Sequence, residues 1–183
     1  RRAATIGGHN MDDYPLKMHV FNRARLIKNS KNRIPYGVDL IQKYKRESWI
    51  VFTENKKQAK EFNKIINTKG FKSALYNTDL DSTERLENLN KFKKADLNVL
   101  VTCTALDEGF DMPEADGALI LSASSSKRQR VQRMGRVLRI TENKPNALIV
   151  TVYSSKTEFD KLMEEAKRYH KEGVPVSWKR QDR

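Results

Sequence analysis

A chain of 183 residues, 38% of them hydrophobic, can bury one ordinary core plus an appendage and is too short for two full α/β domains. Its net charge of +13 comes from 36 Lys and Arg against 23 Asp and Glu, and no apolar run approaches the roughly 18 residues of a membrane-spanning helix. The single cysteine, Cys103, excludes an internal disulfide and suits a reducing cytoplasm or, in a eukaryote, a nucleus.

The chain opens Arg1-Arg2-Ala3-Ala4, with neither an initiator Met nor the apolar stretch of a signal peptide, and so reads as the interior of a longer protein. Residues 17–46 hold nine Lys and Arg against one acid, Asp39. Leu16, Val20, Phe21, Ala24 and Ile27 lie on one helical face there, and Pro35-Tyr36-Gly37 is expected to break the helix. Residues 1–46 are read as a basic helical lead-in from a preceding domain, its charge either a solvated face or a polyanion contact.

From Trp49 the pattern becomes regular. Residues 49–52, Trp-Ile-Val-Phe, form a short continuous apolar run, the sign of a strand covered on both faces. Ala59, Phe62, Ile65 and Ile66 predict a helix over 55–67, stopped by Gly70. A second strand is expected over 71–76, then a helix capped by Asp81 or Ser82 and running through Leu86, Leu89 and Phe92. Strands follow at 99–101 and 118–121, a basic helix near 127–136, a last strand at 147–152 and a closing helix over 158–169. The tail from Gly173 reads as irregular or a short edge strand. Strands alternating with helices of this length predict an α/β fold with a mostly parallel sheet, helices on both faces, over residues 47–155, with 156–183 as a C-terminal helix and tail.

Two stretches carry chemistry. In Gln132-Arg133-Met134-Gly135-Arg136-Val137-Leu138-Arg139, three arginines recur at intervals of three around a glycine. On a helix, Arg136 and Arg139 stand on neighbouring turns and can reach one target together. The guanidinium fork suits a phosphate through paired, charge-assisted hydrogen bonds. The alternative, a plain basic surface helix, is opposed by the interleaved Val131, Met134, Val137 and Leu138. Residues 127–139 contain six Lys and Arg and no acid, so with 17–46 they account for the whole net charge. The second stretch, 99–115, is a strand ending at Thr102, followed by a polar loop with Glu108, Gly109, Phe110, Asp111, Pro113 and Glu114. Its carboxylates come with no His and no second cluster, which argues against a metal centre; His19, His170 and Cys103 likewise have no partners at ligand spacing.

The run Gln-Arg-x-Gly-Arg-x-x-Arg resembles motif VI of superfamily 2 helicases, and Glu-Gly-Phe-Asp-x-Pro-Glu after the Thr102 strand resembles their motif V. Val51-Phe52-Thr53-Glu54-Asn55 is similar to motif IV, and Leu75-Tyr76-Asn77-Thr78-Asp79 with the Glu84-Arg85 helix to the block that follows, although Asn77 stands where His or Gly is common. Arg85 is read as a structural ion-pair partner. The resemblance covers about residues 49–155 and implies a RecA-like three-layer sandwich, the C-terminal half of an ATP-driven motor. It implies that Arg136 and Arg139 act as catalytic fingers on ATP held by a missing N-terminal RecA-like domain, with Gln132, Gly109 and Asp111 also at the nucleotide. Thr53 and Thr102 would contact the nucleic-acid backbone, Glu108 would link the two sites, and Arg133 would serve the interface. ATP and Mg²⁺ would be bound mainly by that other domain, since this chain has no Gly-x-x-x-x-Gly-Lys-[Ser/Thr] loop and no Asp-Glu-x-[His/Asp] pair. The chain alone is therefore expected not to hydrolyse ATP. The motif forms stand nearer the XPB-like and restriction-translocase branches than the DEAD-box branch, which favours DNA over RNA as partner.

Two other readings compete. A nucleic-acid-binding module without catalysis would use the same basic stretches but has no need of the glycine-spaced arginines; an RNA helicase half remains the alternative within the resemblance. A Rossmann-like metabolic enzyme needs a glycine-rich loop after the first strand, and the chain has Thr53-Glu54-Asn55-Lys56-Lys57 there.

Overall fold

The computed structural model describes residue 30 and residues 32–103, 114–121 and 147–179. The expected lead-in helix over 16–27 and the basic helix near 127–136 lie outside the described residues. Nine elements are described: α1 (Arg33–Tyr44), β1 (Trp49–Phe52), α2 (Lys56–Thr68), β2 (Ser73–Tyr76), α3 (Ser82–Lys93), β3 (Val99–Thr102), β4 (Gly117–Ile120), β5 (Leu148–Thr151) and α4 (Lys156–Lys171). The five strands form one wholly parallel sheet in the order β2-β3-β1-β4-β5.

The apolar runs explain that order. Every residue of β1, β3 and β4 is buried, and these are the three inner strands, covered on both faces. The outer strands β2 and β5 are only partly covered. Because side chains alternate along a strand, the inner strands feed two cores. Trp49, Val51, Val99, Val101, Leu119 and Leu121 pack with Ile34, Val38 and Ile41 of α1 and Ala59, Phe62 and Ile66 of α2. Ile50, Phe52, Leu100, Ala118 and Ile120 pack on the opposite face with Leu89 and Phe92 of α3. This is the expected α/β sandwich.

The helix ends follow their side chains. Asn55, Asp81 and Ser155 are the N-caps, accepting hydrogen bonds from the backbone N–H of Gln58, Glu84 and Glu158. Gly70 terminates α2 in the left-handed conformation (φ 86°): its N–H donates to Asn67 O, and Phe71 N–H to Ile66 O.

One expectation is corrected. Pro35-Tyr36-Gly37 does not break a helix, because α1 runs through it from Arg33 to Tyr44. Pro35 stands in the first turn, where no helical partner is owed to its missing N–H. Gly37 is needed for contact: a Cβ built there would lie 2.6 Å from Leu121 Cδ2 and 3.1 Å from Leu119 Cδ2. Thus α1, read as part of the lead-in, shares its core with the sheet. Among the described residues, 174–179 contain no strand; instead Trp178 packs against Phe159 (centroids 5.1 Å) and Tyr153 (6.3 Å).

Candidate nucleic-acid and nucleotide interface

In a parallel sheet covered on both faces, binding loops gather outside the carboxyl ends of the strands. Among the described residues that rim is formed by Thr53, Asn77, Thr102, Leu121 and residues 152–154. Thr53 directly follows β1 and Thr102 ends the neighbouring β3, and the structure brings them together: Thr53 N–H donates to Thr102 O at 2.8 Å and the Thr53 hydroxyl to the same oxygen at 3.1 Å. Both residues are buried, at 0% and 2% exposure, so neither presents its side chain at the surface. The turn after Thr53 is held by the Glu54 N–H donating to Gln58 Oε1 (2.7 Å) and by the Asn55 cap.

At the end of β2, Asn77 Oδ1 accepts from Asp79 N–H at 3.0 Å, while its buried Nδ2 has no hydrogen-bond partner. Asp79 faces two ammonium groups from α2. Lys56, which donates a hydrogen bond to it, and Lys60, at 2.9 Å, hold its carboxyl below the usual carboxylate range. Arg85 makes no ion pair among the described residues, and its buried Nε lacks a partner.

Among the described residues, the most heavily bonded cation at this rim is Arg33, whose side chain is 1% exposed. Its Nη1 donates to Leu121 O (2.6 Å) and Val152 O (2.8 Å), and its Nη2 to Ser154 Oγ (2.7 Å) and Glu158 Oε2 (2.5 Å). In the sequence Arg33 is one of nine basic residues in 17–46. Its signal there was slight, since its acceptors lie 88 to 125 residues away.

Of the residues singled out in the sequence, Glu108, Gly109, Asp111, Gln132, Arg133, Arg136 and Arg139 lie outside the described residues. In sequence, one of the stretches that contain them follows Cys103 after β3 and the other follows Leu121 after β4. Among the described residues, no three His, Cys, Asp or Glu side chains gather as metal ligands.

A five-stranded parallel sheet in this order, with helices on both faces and its candidate loops at the carboxyl rim, defines a RecA-like domain of the kind found in helicase C-terminal halves. The C-terminal domain of the DEAD-box protein Dbp5 superposes with a TM-score of 0.66 at 21% identity, covering 79% of this chain and 82% of that one. The Hef helicase domain of Pyrococcus furiosus gives 0.55 at 22%, covering 72% of this chain and 28% of that one.

The helicase conserved C-terminal domain family matches residues 32–141, and the chain belongs to it. Over 129 residues it is 36% identical to the DNA 3'-5' translocase XPB2 of Sulfurisphaera tokodaii, covering 70% of this chain and 28% of that protein. It is 31% identical over 125 residues to UvrABC system protein B of Fusobacterium nucleatum, covering 64% and 19%. With the ATP-dependent RNA helicase DBP3 of Ajellomyces capsulatus it shares 28% over 166 residues, covering 87% and 32%. The chain thus spans about a fifth to a third of the length of these relatives.

Proposed function

We propose that this chain is the C-terminal motor half of an ATP-dependent DNA helicase or translocase. It would supply Arg136 and Arg139 to the γ-phosphate of ATP bound on a preceding RecA-like domain, with Gln132, Gly109 and Asp111 at the same nucleotide. The observation that carries this reading is the Gln132–Arg139 spacing within the residues that match the family. Two forks on adjacent turns suit the three equatorial oxygens of a phosphoryl group in transfer, where charge is stabilised by positioned donors rather than by covalent chemistry. When bound, ATP and Mg²⁺ would bring the scissile phosphate and its neutralising metal charge.

Thr53 and Thr102 enter the proposal as the residues that fix the β1 and β3 loops where a sugar–phosphate backbone would pass. Since both are buried, the phosphates would be met by the loops they anchor. Glu108 lies between those loops and the nucleotide residues in sequence, and Arg133 beside the fingers, which fits coupling and interface roles. DNA is favoured by the motif forms and by the similarity to a named DNA translocase. The similarity to a named RNA helicase over more of the chain favours RNA as the second reading.

The test is ATP turnover by the full-length protein, with and without DNA or RNA, in the wild type and in Arg136→Ala. DNA-stimulated turnover that falls by about three to five orders of magnitude in the variant is the expected result. Wild-type turnover untouched by the substitution would remove the finger, and stimulation by RNA alone would reverse the choice of substrate.

A further inference from the structure

Lys56 and Lys60 stand one turn apart on α2, the helix that leaves the carboxyl rim just after Thr53. Like charges at that spacing repel, yet both ammonium groups converge on one carboxylate. Lys56 donates to Asp79 Oδ1, and Lys60 Nζ lies 2.9 Å from Asp79 Oδ2. Asp79 belongs to the loop after β2, and β3 lies between β1 and β2 in the sheet. The contact therefore reaches across the end of a strand, along roughly 10 Å of the rim. Asp79 is carried on a short turn: Asn77 Oδ1 accepts its N–H at 3.0 Å, and Asn77 O accepts from Leu80 N–H at 3.3 Å. The buried Nδ2 of the same Asn77 has no acceptor among the described residues.

We propose that Lys56 and Lys60 bind a phosphodiester of the nucleic-acid backbone, and that Asp79 takes its place as an internal substitute when no nucleic acid is bound. This deepens the reading above, in which the rim meets nucleic acid. A phosphodiester resembles a carboxylate in carrying one negative charge on two equivalent oxygens, so two ammonium groups arranged for one suit the other. The local balance favours an anion, since two cations face one acid and the first turn of α2 adds the positive end of a helix dipole. The three side chains of the contact are 33–59% exposed, so a phosphate arriving from solvent can reach both ammonium groups. Exposed ion pairs contribute little to stability, and a polyanion gains from the counterions it releases. Asp79 is thus a weak competitor that a nucleic-acid strand can displace.

The experiment measures binding of the full-length protein to a labelled DNA duplex, and to RNA of the same sequence, as a function of salt. Four forms are compared: wild type, Asp79→Asn, Lys56→Gln with Lys60→Gln, and all three substitutions together. Asp79→Asn is expected to tighten binding by about 3- to 10-fold at low salt, with an unchanged log–log slope because the same phosphate is neutralised. Replacing both lysines is expected to weaken binding and to flatten the slope on duplex DNA by about 0.9 for the phosphate lost. In the triple variant the gain from Asp79→Asn is expected to vanish, as coupling between contacting groups requires. A gain that persists without the lysines is a general effect of lost negative charge and overturns the proposal. So does an Asp79→Asn variant of unchanged affinity, which makes the contact a structural tie, or a KM for ATP that moves with the lysines, which puts the phosphate in the nucleotide. The nucleic acid with the larger response is the source of the phosphodiester. Failure of the wild type to bind either one is a separate result: it removes the nucleic-acid reading of the rim, and the proposal with it.

Discussion

Gly117 opens β4 directly opposite Trp49 in the parallel register. A Cβ added there would stand 2.6 to 2.8 Å from three carbons of the indole ring, which is itself fully buried. A ring enclosed on all sides cannot rotate clear, so the strand would have to move. Gly117→Ala is therefore expected to lower unfolding stability by about 1–3 kcal/mol, the usual cost of overpacking, read as a shifted denaturation midpoint at constant slope. Gly37 makes an instructive contrast. Its new Cβ would come closest to the end of a leucine side chain, Leu121 Cδ2 at 2.6 Å, with Leu119 Cδ2 and Phe62 Cε2 at 3.1 and 3.2 Å, and alanine in a helix interior also gains about 1 kcal/mol over glycine. The two effects oppose, so Gly37→Ala is expected to cost less than Gly117→Ala. The reverse ranking would show that Leu121 is held more rigidly than Trp49.

All four described helices end on a residue in the left-handed region, with Lys45 (φ 39°) closing α1. Gly70 closes α2 and Gly173 closes α4, whereas Ala95 (φ 62°) closes α3, its N–H donating to Phe92 O and Asp96 N–H to Lys91 O. A Cβ in that conformation costs roughly 1–2 kcal/mol, and glycine returns part of the gain through its freer unfolded chain. Ala95→Gly is accordingly expected to raise the stability of the domain by about 1 kcal/mol, and an unchanged or lowered denaturation midpoint would contradict the account. The elements differ in how far they could be read from the sequence for the same reason. Asn55, Asp81, Gly70 and Gly173 announce their boundaries by their own chemistry. Ala95 announces nothing, because its turn is imposed by the burial of Leu89 and Phe92 on the sheet. Pro35 misled for the opposite reason: its effect depends on helix position, which is fixed by how α1 docks through Ile34, Val38 and Ile41.

At the scale of the whole molecule, the central strands were legible because burial on both faces leaves only apolar residues at 49–52 and 99–101. The candidate site was legible as residue types at fixed spacing, as in Gln132–Arg139. What ties α1 to the sheet end and to α4 was not legible, since Arg33 meets its acceptors across more than 80 residues of chain. The same limit applies to charge. The +8 excess of residues 17–46 reads in sequence as one basic stretch, yet Arg33 within it is spent on an internal carboxylate, Glu158. The remaining cations of that stretch can still serve a polyanion, and counterion release gives the means to count them. Binding of this chain to duplex DNA should weaken linearly on a log–log plot against salt, by about 0.9 in slope for each phosphate neutralised. Replacing Arg23, Arg25 and Lys28 by glutamine is expected to flatten that slope by up to about 2.7 if all three meet phosphates, whereas Arg33→Lys leaves it unchanged. A slope unaltered by the triple substitution would make the lead-in a solvated or domain-packing face, and would leave residues 127–139 and the rim loops as the polyanion contacts.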